Sequence, residues 1–261
     1  MSNKITVIGR GGVGKTTFLS LLAKYIIEGA AGSILLIDAD PDQSLADTLG
    51  IDLEKENIKT LSEILYDIKH GNIKKEIESL TLYEKVNLLL SRDSLYEGDK
   101  FDFLSIGTKW TEGCYCQPNA ILKDIISGLE KNYDYILIDS PAGLEHLNRR
   151  VTSSVNTIFA IVDASKKSIE NIKRSYKIIS EVKIKFENFY VVGNYTFPDC
   201  EDREFFTDVS EGDVKYVGKI QYDDAVREYM MLGKSLLEIE KTSPAFISVA
   251  EIAKKTNIVV L

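Results

Sequence analysis

The stretch GRGGVGKTT, residues 9–17, follows a short apolar run and precedes a segment whose apolar residues have helical spacing. It fits the pattern G-x-x-x-x-G-K-[ST], with Gly9, Gly14, Lys15 and Thr16 at the defining positions. Glycines let the backbone turn tightly and bring its N–H groups against phosphate oxygens. A helix that begins at such a loop points its positive end at the same anion. The stretch therefore predicts a phosphate-binding loop between a strand and a helix.

The side chains of this loop predict a nucleoside triphosphate and Mg²⁺ as ligands. Lys15 can reach the β- and γ-phosphates, and the Thr16 hydroxyl can bind Mg²⁺. The residues expected to contact ATP or ADP in this loop are Gly11, Gly12, Val13, Gly14, Lys15, Thr16 and Thr17.

The same glycines allow a second interpretation. Gly9, Gly11 and Gly14 spell G-x-G-x-x-G, the spacing of dinucleotide-binding folds, and Asp38 stands about where such folds keep their ribose-binding acid. That alternative predicts a nicotinamide or flavin enzyme. It leaves Lys15 unexplained, so the sequence favours a nucleoside triphosphate.

Composition limits the partners and the compartment that we expect. The 261 residues are 44% hydrophobic and have a formal net charge of −8 without a long basic run, so nucleic acid is not an expected partner. Neither end resembles a targeting signal, and no apolar stretch approaches the roughly 20 residues of a membrane span, so no stable membrane association is expected. Three cysteines argue against a disulfide framework. We expect a cytoplasmic protein.

Apolar strand-like runs alternate with helical patterns along the chain. Strands are predicted at 4–8, 33–38, 86–90, 101–106, 135–139, 157–162, 189–193 and 216–220; helices are predicted at 15–28, 119–131, 168–182 and 223–232, with surface helices within 52–79 and a last helix near Pro244. This alternation predicts an α/β fold, a doubly wound and mostly parallel sheet with helices on both faces, formed by one domain of residues 1–261. Ligands of such sheets bind beyond the carboxyl ends of the strands.

Three residues that follow strand-like runs are candidates for chemistry on the phosphates. Asp139 ends the run 135–138, as the acid after a Walker B strand does, and can hold Mg²⁺ directly or through water. As an ordinary strand-end acid it would cap the next helix instead. Asp40 can orient the attacking water, although Asp-Pro-Asp at 40–42 also favours a plain turn. Gly143 can offer its N–H to the γ-phosphate and move when that phosphate leaves.

Three motifs together resemble those of a known ATPase family. GRGGVGKTT at 9–17, DADPD at 38–42 and DSPAG at 139–143 are similar to the motifs of the deviant Walker A ATPases, the group of MinD, ParA and the nitrogenase iron protein. Within that group, Cys-x-Cys at 114–116 and AGLEHL at 142–147 resemble the CooC type, ATPases that support nickel insertion into carbon monoxide dehydrogenase. The resemblance covers almost the whole chain.

The resemblance implies roles for the residues at matching positions. By resemblance, Lys15, Thr16 and Thr17 bind phosphate and Mg²⁺, Asp40 serves hydrolysis, Asp38 and Asp139 lie around the metal, and Asn194 contacts adenine. Arg10 stands where the family has its signature lysine, which reaches into the partner subunit. Arginine keeps the positive charge and offers a planar fork to phosphate, so Arg10 is a catalytic candidate acting in trans. The resemblance therefore implies a homodimer with Lys15, Asp40 and Arg10 as catalytic residues.

Cys114 and Cys116, in a loop at about 107–118, form a candidate metal site. Two thiolates do not complete a tetrahedral site, whereas two copies related by a two-fold axis supply four. Soft thiolates suit Zn²⁺, square-planar Ni²⁺ or an iron–sulfur cluster. The plain alternatives are a redox pair or two incidental cysteines.

Together with the resemblance, the cysteine pair leads us to expect Ni²⁺ or Zn²⁺ shared across a homodimer. The expected client is an apo carbon monoxide dehydrogenase-like enzyme, which the ATPase would help to load with nickel. Two other classes of function stay open: a ParA- or MinD-like positioning ATPase, and an iron–sulfur ATPase like the nitrogenase iron protein.

Overall fold

One sheet of eight strands organises the described chain. The computed structural model describes residues 2–29, 32–40, 42–107, 124, 127–141, 154–181, 184–194 and 214–258. The strands are β1 (Asn3–Gly9), β2 (Ile34–Asp38), β3 (Leu95–Glu97), β4 (Asp102–Ser105), β5 (Tyr135–Asp139), β6 (Thr157–Val162), β7 (Asn188–Asn194) and β8 (Val214–Ile220). Their spatial order is β3-β4-β2-β5-β1-β6-β7-β8, and every neighbouring pair is parallel except β3 and β4.

Helices cover both faces of this sheet. They are α1 (Lys15–Gly29), α2 (Ser44–Leu49), α3 (Leu61–His70), α4 (Leu82–Asp93), α5 (Lys166–Glu181), α6 (Asp224–Met231) and α7 (Pro244–Lys255), with short 3-10 turns at Lys75–Ile77, Glu130–Asn132 and Leu236–Glu238. Successive side chains of a strand point to opposite faces, so Val7 of β1 packs in the cluster of α1, α2 and α7 while Ile8 packs in the cluster of α5. A third cluster joins β2 and β5 to α3 and α4 on the α5 side. The predicted doubly wound α/β fold is confirmed.

The strands read as continuous apolar runs because they are covered on both sides. Every residue of β2 and of β6 is buried, which is the pattern of strands inside a parallel sheet. The predicted strands are confirmed to within a few residues, with one exception described next. The short antiparallel edge strand β3 and the helix α2 were not predicted.

The strand predicted at 86–90 is wrong, since these residues lie inside α4. Thr81 and Glu84 form a capping box at the start of this helix, in which each side chain accepts the other residue's backbone N–H. Val86 and Leu90 are buried, four residues apart, on the face that packs against the sheet. The apolar run is therefore the buried stripe of a helix. The helix predicted at 119–131 lies mostly outside the described residues.

At the centre of the sheet, the direction in which successive strands are added to the sheet reverses. β1 lies between β5 and β6, so the chain builds outward on one side of β1 through β2 and on the other side through β6. Such a switch point opens a crevice at the carboxyl ends of the strands, and the loop 9–17 begins there. The opposite, amino edge carries polar contacts, among them Lys4 with Glu130 and the Ser33 amide with Asp134 Oδ2 at 2.9 Å, around a pocket of about 850 Å³.

Among the residues that the structure describes, no helix combines the length and the apolar character needed to cross a membrane.

Candidate functional site

The loop between β1 and α1 has the glycine-dependent shape that its sequence predicts. Gly12 and Gly14 have φ values of 76° and 90°, in the left-handed region that favours glycine. A Cβ on Gly14 would lie 2.2 Å from the side-chain nitrogen of Asn194. That nitrogen donates a hydrogen bond to the Val13 carbonyl at 2.7 Å. Asn194, at the end of β7, thus fixes the loop from the side on which adenine is predicted to bind.

Thr16 and Asp139 meet directly at the first turn of α1. The Thr16 hydroxyl donates to Asp139 Oδ2 at 2.6 Å and lies 3.1 Å from the Ser44 hydroxyl oxygen. Asp139 is fully buried, and its Oδ1 has no hydrogen-bond partner among the described residues. Burial raises the pKa of Asp139 to about 6, while the hydrogen bond from Thr16 lowers it. A hydroxyl beside an unpaired carboxylate oxygen is a donor set that fits Mg²⁺.

Asp38 lies beside Asp139 in the register of β2 and β5. Its Oδ1 accepts the Asp40 N–H and its Oδ2 accepts the Leu45 N–H, each at 3.0 Å. Burial, and secondarily the charge of Asp139, raise the pKa of Asp38 to about 8. The two neighbouring acids therefore differ, because the oxygens of Asp38 already bind backbone while one oxygen of Asp139 does not.

The three predicted catalytic residues, Lys15, Asp40 and Arg10, come from two loops at the carboxyl ends of the strands. Lys15 is 6% exposed, and its Nζ donates to the Arg10 carbonyl at 3.3 Å, so its charge is held within the phosphate loop. Asp40 lines the crevice from the β2–α2 loop, where its Oδ1 accepts the Asp42 N–H at 3.1 Å. Arg10 is half-buried at the start of the phosphate loop.

A cleft of about 440 Å³ lies beside the phosphate loop, and its size suits a nucleotide. One end is polar and is lined by the glycines of the phosphate loop, Lys15, Thr16 and Asp40. At the other end, Ile220, Val226, Met230 and Ala245 form an apolar wall, and the polar or charged residues Asn194, Gln221, Tyr222, Asp223 and Arg227 also line the cleft there. Such a surface can take the flat face of a base.

Sequence reasoning missed the contributions of Ser44 and of the cleft's apolar end. Ser44 begins α2, and a serine that follows a turn-forming stretch and precedes an apolar helical run is a helix-start signal that was available. The apolar wall comes from β8, α6 and α7, which only the fold brings to the phosphate loop. Met230 is an example, since its sulfur accepts the Thr17 hydroxyl at 3.8 Å.

Several predicted site residues lie outside the described residues, namely Gly143, Cys114 and Cys116. Within the described ranges, no three histidine, cysteine or acidic side chains converge as a metal site.

Comparisons with known proteins agree with this geometry. Residues 3–190 match the model of a family described as an AAA domain. An ATP-binding protein of Methanocaldococcus jannaschii is 37% identical over 253 residues, which cover 96% of this chain and 97% of that protein. The chain belongs to the MinD/ParA family of P-loop ATPases. The resemblance of its motifs to this group is thereby confirmed.

Two further proteins define how far the similarity extends. A ParA family ATPase from Chlorobium tepidum has the same fold, with a TM-score of 0.71 at 16% identity, over 98% of this chain and 99% of that one. The carbon monoxide dehydrogenase accessory protein CooC of Rhodospirillum rubrum is 25% identical over 252 residues, which cover 93% of this chain and 91% of that protein. At 25% identity, CooC is a distant relative of this chain.

Proposed function

We propose that this protein binds Mg-ATP in the cleft and hydrolyses it to ADP and phosphate. The observation that supports this most directly is the unpaired Oδ1 of buried Asp139 beside the Thr16 hydroxyl. A buried carboxylate oxygen without a partner is costly unless a ligand satisfies it. Mg²⁺, when bound by Thr16 and Asp139, would neutralise charge on the phosphates. We take the whole chain, 1–261, as one ATPase domain that acts in the cytoplasm.

The chain's own residues divide the reaction between them. Backbone N–H groups at 11–17 cradle the phosphates, and Lys15 offsets the negative charge that develops on the γ-phosphoryl oxygens. Asp40 orients the water whose oxygen attacks γ-phosphorus as the bond to the β-phosphate oxygen breaks. Asn194 and the apolar wall hold adenine. Gly143 follows the movement of the γ-phosphate, and Arg10 reaches the nucleotide of a second subunit.

Asp139→Asn tests the proposed magnesium site. An amide cannot offer Mg²⁺ an anionic oxygen, so we expect kcat for ATP to fall about 100-fold. The affinity for ADP without Mg²⁺ should stay within about threefold, because the phosphate loop is unchanged. Phosphate release and calorimetric titration with ADP, each with and without Mg²⁺, measure the two effects.

Asp102→Asn is the matched control, since this acid lies at the start of β4 and bonds the Tyr133 hydroxyl at 2.5 Å, away from the cleft. It should keep the turnover of the parent protein. Equal turnover in the Asp139→Asn variant would remove Asp139 from the magnesium site, and a parent protein that binds no nucleotide would refute the proposed function altogether.

A second, more specific proposal is maturation of a nickel enzyme. The CooC relative and the Cys-x-Cys spacing at 114–116 support it together. Two copies related by a two-fold axis would supply four thiolates to one Ni²⁺ or Zn²⁺. ATP would favour the closed homodimer only if it binds that state more tightly than the open one. The client would be an apo carbon monoxide dehydrogenase-like enzyme.

The double variant Cys114→Ser/Cys116→Ser tests this proposal, with Cys200→Ser as the matched control for loss of a thiol. We expect about one Ni²⁺ or Zn²⁺ per dimer in the parent and in the control, and none in the double variant, because a serine hydroxyl is a poor ligand for these ions. Elemental analysis and light scattering, with and without Mg-ATP, measure metal content and oligomeric mass. Metal content that is the same in the double variant would contradict the shared-thiolate site.

The same preparation separates the two other classes of function. A brown colour after anaerobic purification would favour an iron–sulfur ATPase. Salt-dependent retention on DNA or on anionic vesicles would favour a positioning ATPase, against which the net charge of −8 argues.

A further inference from the structure

We propose that Asp38 is a positioning residue for hydrolysis: its buried carboxyl group holds both ends of the β2–α2 loop and thereby places Asp40 in the cleft. This inference rests on the proposed function, in which Asp40 orients the attacking water. It gives Asp38 a task other than binding Mg²⁺, although Asp38 lies next to Asp139 in the sheet.

The hydrogen bonds of Asp38 are the first support. One oxygen accepts the N–H of Asp40, where the loop leaves β2, and the other accepts the N–H of Leu45, where α2 begins, each at 3.0 Å. The carboxyl group is fully buried, so water does not compete for these donors. A single side chain thus fixes the entry and the exit of the loop.

Two further contacts of the loop connect this placement to the cleft. The Asp42 N–H donates to Asp40 Oδ1 at 3.1 Å and so sets the direction of the Asp40 carboxylate. At the exit, the Ser44 hydroxyl lies 3.1 Å from the Thr16 hydroxyl, which connects α2 to the phosphate loop. A loop that is fixed at both ends can hold a water-orienting acid within the narrow tolerance that catalysis requires.

The contrast with Asp139 is the second support. Each oxygen of Asp38 already accepts a backbone N–H, and turning the group toward a metal would leave a buried N–H unpaired. Asp139 has one oxygen without a partner among the described residues. Two acids at matching register positions of adjacent strands therefore serve different purposes, one toward the backbone and one toward the ligand.

Asp38→Asn tests the inference with almost no change of shape. The amide keeps one acceptor oxygen but turns an NH₂ group toward a backbone N–H, so one end of the loop is released. We expect kcat to fall about 10- to 100-fold while KM for ATP and the affinity for ADP change less than about threefold. Hydrogen–deuterium exchange at the amides of Asp40 and Leu45 should accelerate about tenfold or more, because their bonds to Asp38 are disturbed.

Ser105→Ala is the matched control. Ser105 faces Asp38 in the register of β4 and β2, is fully buried, and its hydroxyl has no hydrogen-bond partner in the described part of the chain. Losing it should leave turnover and amide exchange unchanged. If Asp38→Asn does not fold, as judged by thermal unfolding, Asp38→Ser serves in its place, since it removes the carboxyl group with less polar bulk.

A double-mutant comparison shows whether Asp38 acts through Asp40. Once Asp40→Asn has removed the water-orienting acid, adding Asp38→Asn should lower kcat no further. The inference would be overturned if the double variant lost kcat by the product of the two single-variant losses. It would also be overturned if Asp38→Asn kept the kcat and the amide exchange of the parent protein. If the parent protein does not hydrolyse ATP, the proposed function fails, yet the exchange measurement still decides whether Asp38 holds the loop.

Discussion

Replacing Lys15 with alanine is expected to lower ATP turnover about 100- to 1000-fold. The reason is the position of its ammonium group, which is buried within the phosphate loop and bonded to the Arg10 carbonyl. Alanine leaves the developing charge on the γ-phosphoryl oxygens without this cation. Phosphate release at saturating Mg-ATP measures the loss, and thermal unfolding establishes that the variant is folded.

Lys24→Ala is the matched control, and we expect it to lower stability without lowering ATP turnover. Lys24 is a buried lysine of the same helix, but its Nζ bonds Glu28 at 2.7 Å and the Leu237 carbonyl at 2.8 Å, outside the cleft. Its loss should lower the free energy of unfolding by about 2 kcal/mol and leave the turnover of the folded protein unchanged. Parental turnover in Lys15→Ala would contradict the assignment of the phosphate site.

Gly14→Ala is expected to damage both the stability of the fold and the affinity for nucleotide. The new Cβ would lie 2.2 Å from the Asn194 side chain, on a backbone with a φ of 90°. We expect the free energy of unfolding to fall by about 1–3 kcal/mol. The affinity for ADP should fall about 100-fold, because the N–H groups of the loop are displaced from the phosphates. Urea unfolding and calorimetric titration measure the two losses.

Two companion variants separate the collision from the backbone strain. Gly12 has a φ of 76°, so alanine is strained there too, but no atom of the described residues lies within 4 Å of the added Cβ. Gly12→Ala should therefore lower the free energy of unfolding less than Gly14→Ala does. Adding Asn194→Ala to Gly14→Ala removes the colliding atom and should restore part of the stability, but not the affinity. If Gly12→Ala and Gly14→Ala are equally unstable, the contact with Asn194 is not the cause.

Local motifs could be predicted from the sequence because their function depends on local backbone shape. The loop 9–17 is one such case, since glycines at fixed spacing determine its conformation. The position of Asp139 at the carboxyl edge could also be predicted, because the apolar run 135–138 forms a buried strand that ends at this residue. Its contact with Thr16 depends in addition on the order of the strands in the sheet.

Other features depend on contacts that no spacing encodes. The short helix α2 is held by tertiary contacts, such as the buried pair of the Ser20 and Thr48 hydroxyls at 2.8 Å, more than by its own propensity. The difference between Asp38 and Asp139 depends on which backbone N–H groups lie within 3 Å of each. The strand wrongly predicted at 86–90 shows a further limit, because a short apolar run suits either a strand or a helix until its capping residues are considered.

The polar amino edge of the sheet has a practical consequence for anyone who wishes to label or immobilise this protein. The cleft lies at the carboxyl ends of the strands, and contacts such as Ser33 with Asp134 lie at their other ends. A fluorophore or a surface linker attached near Asn132 would therefore sit about a full strand length away from the cleft. We expect such a label to leave the proposed nucleotide binding and turnover unchanged.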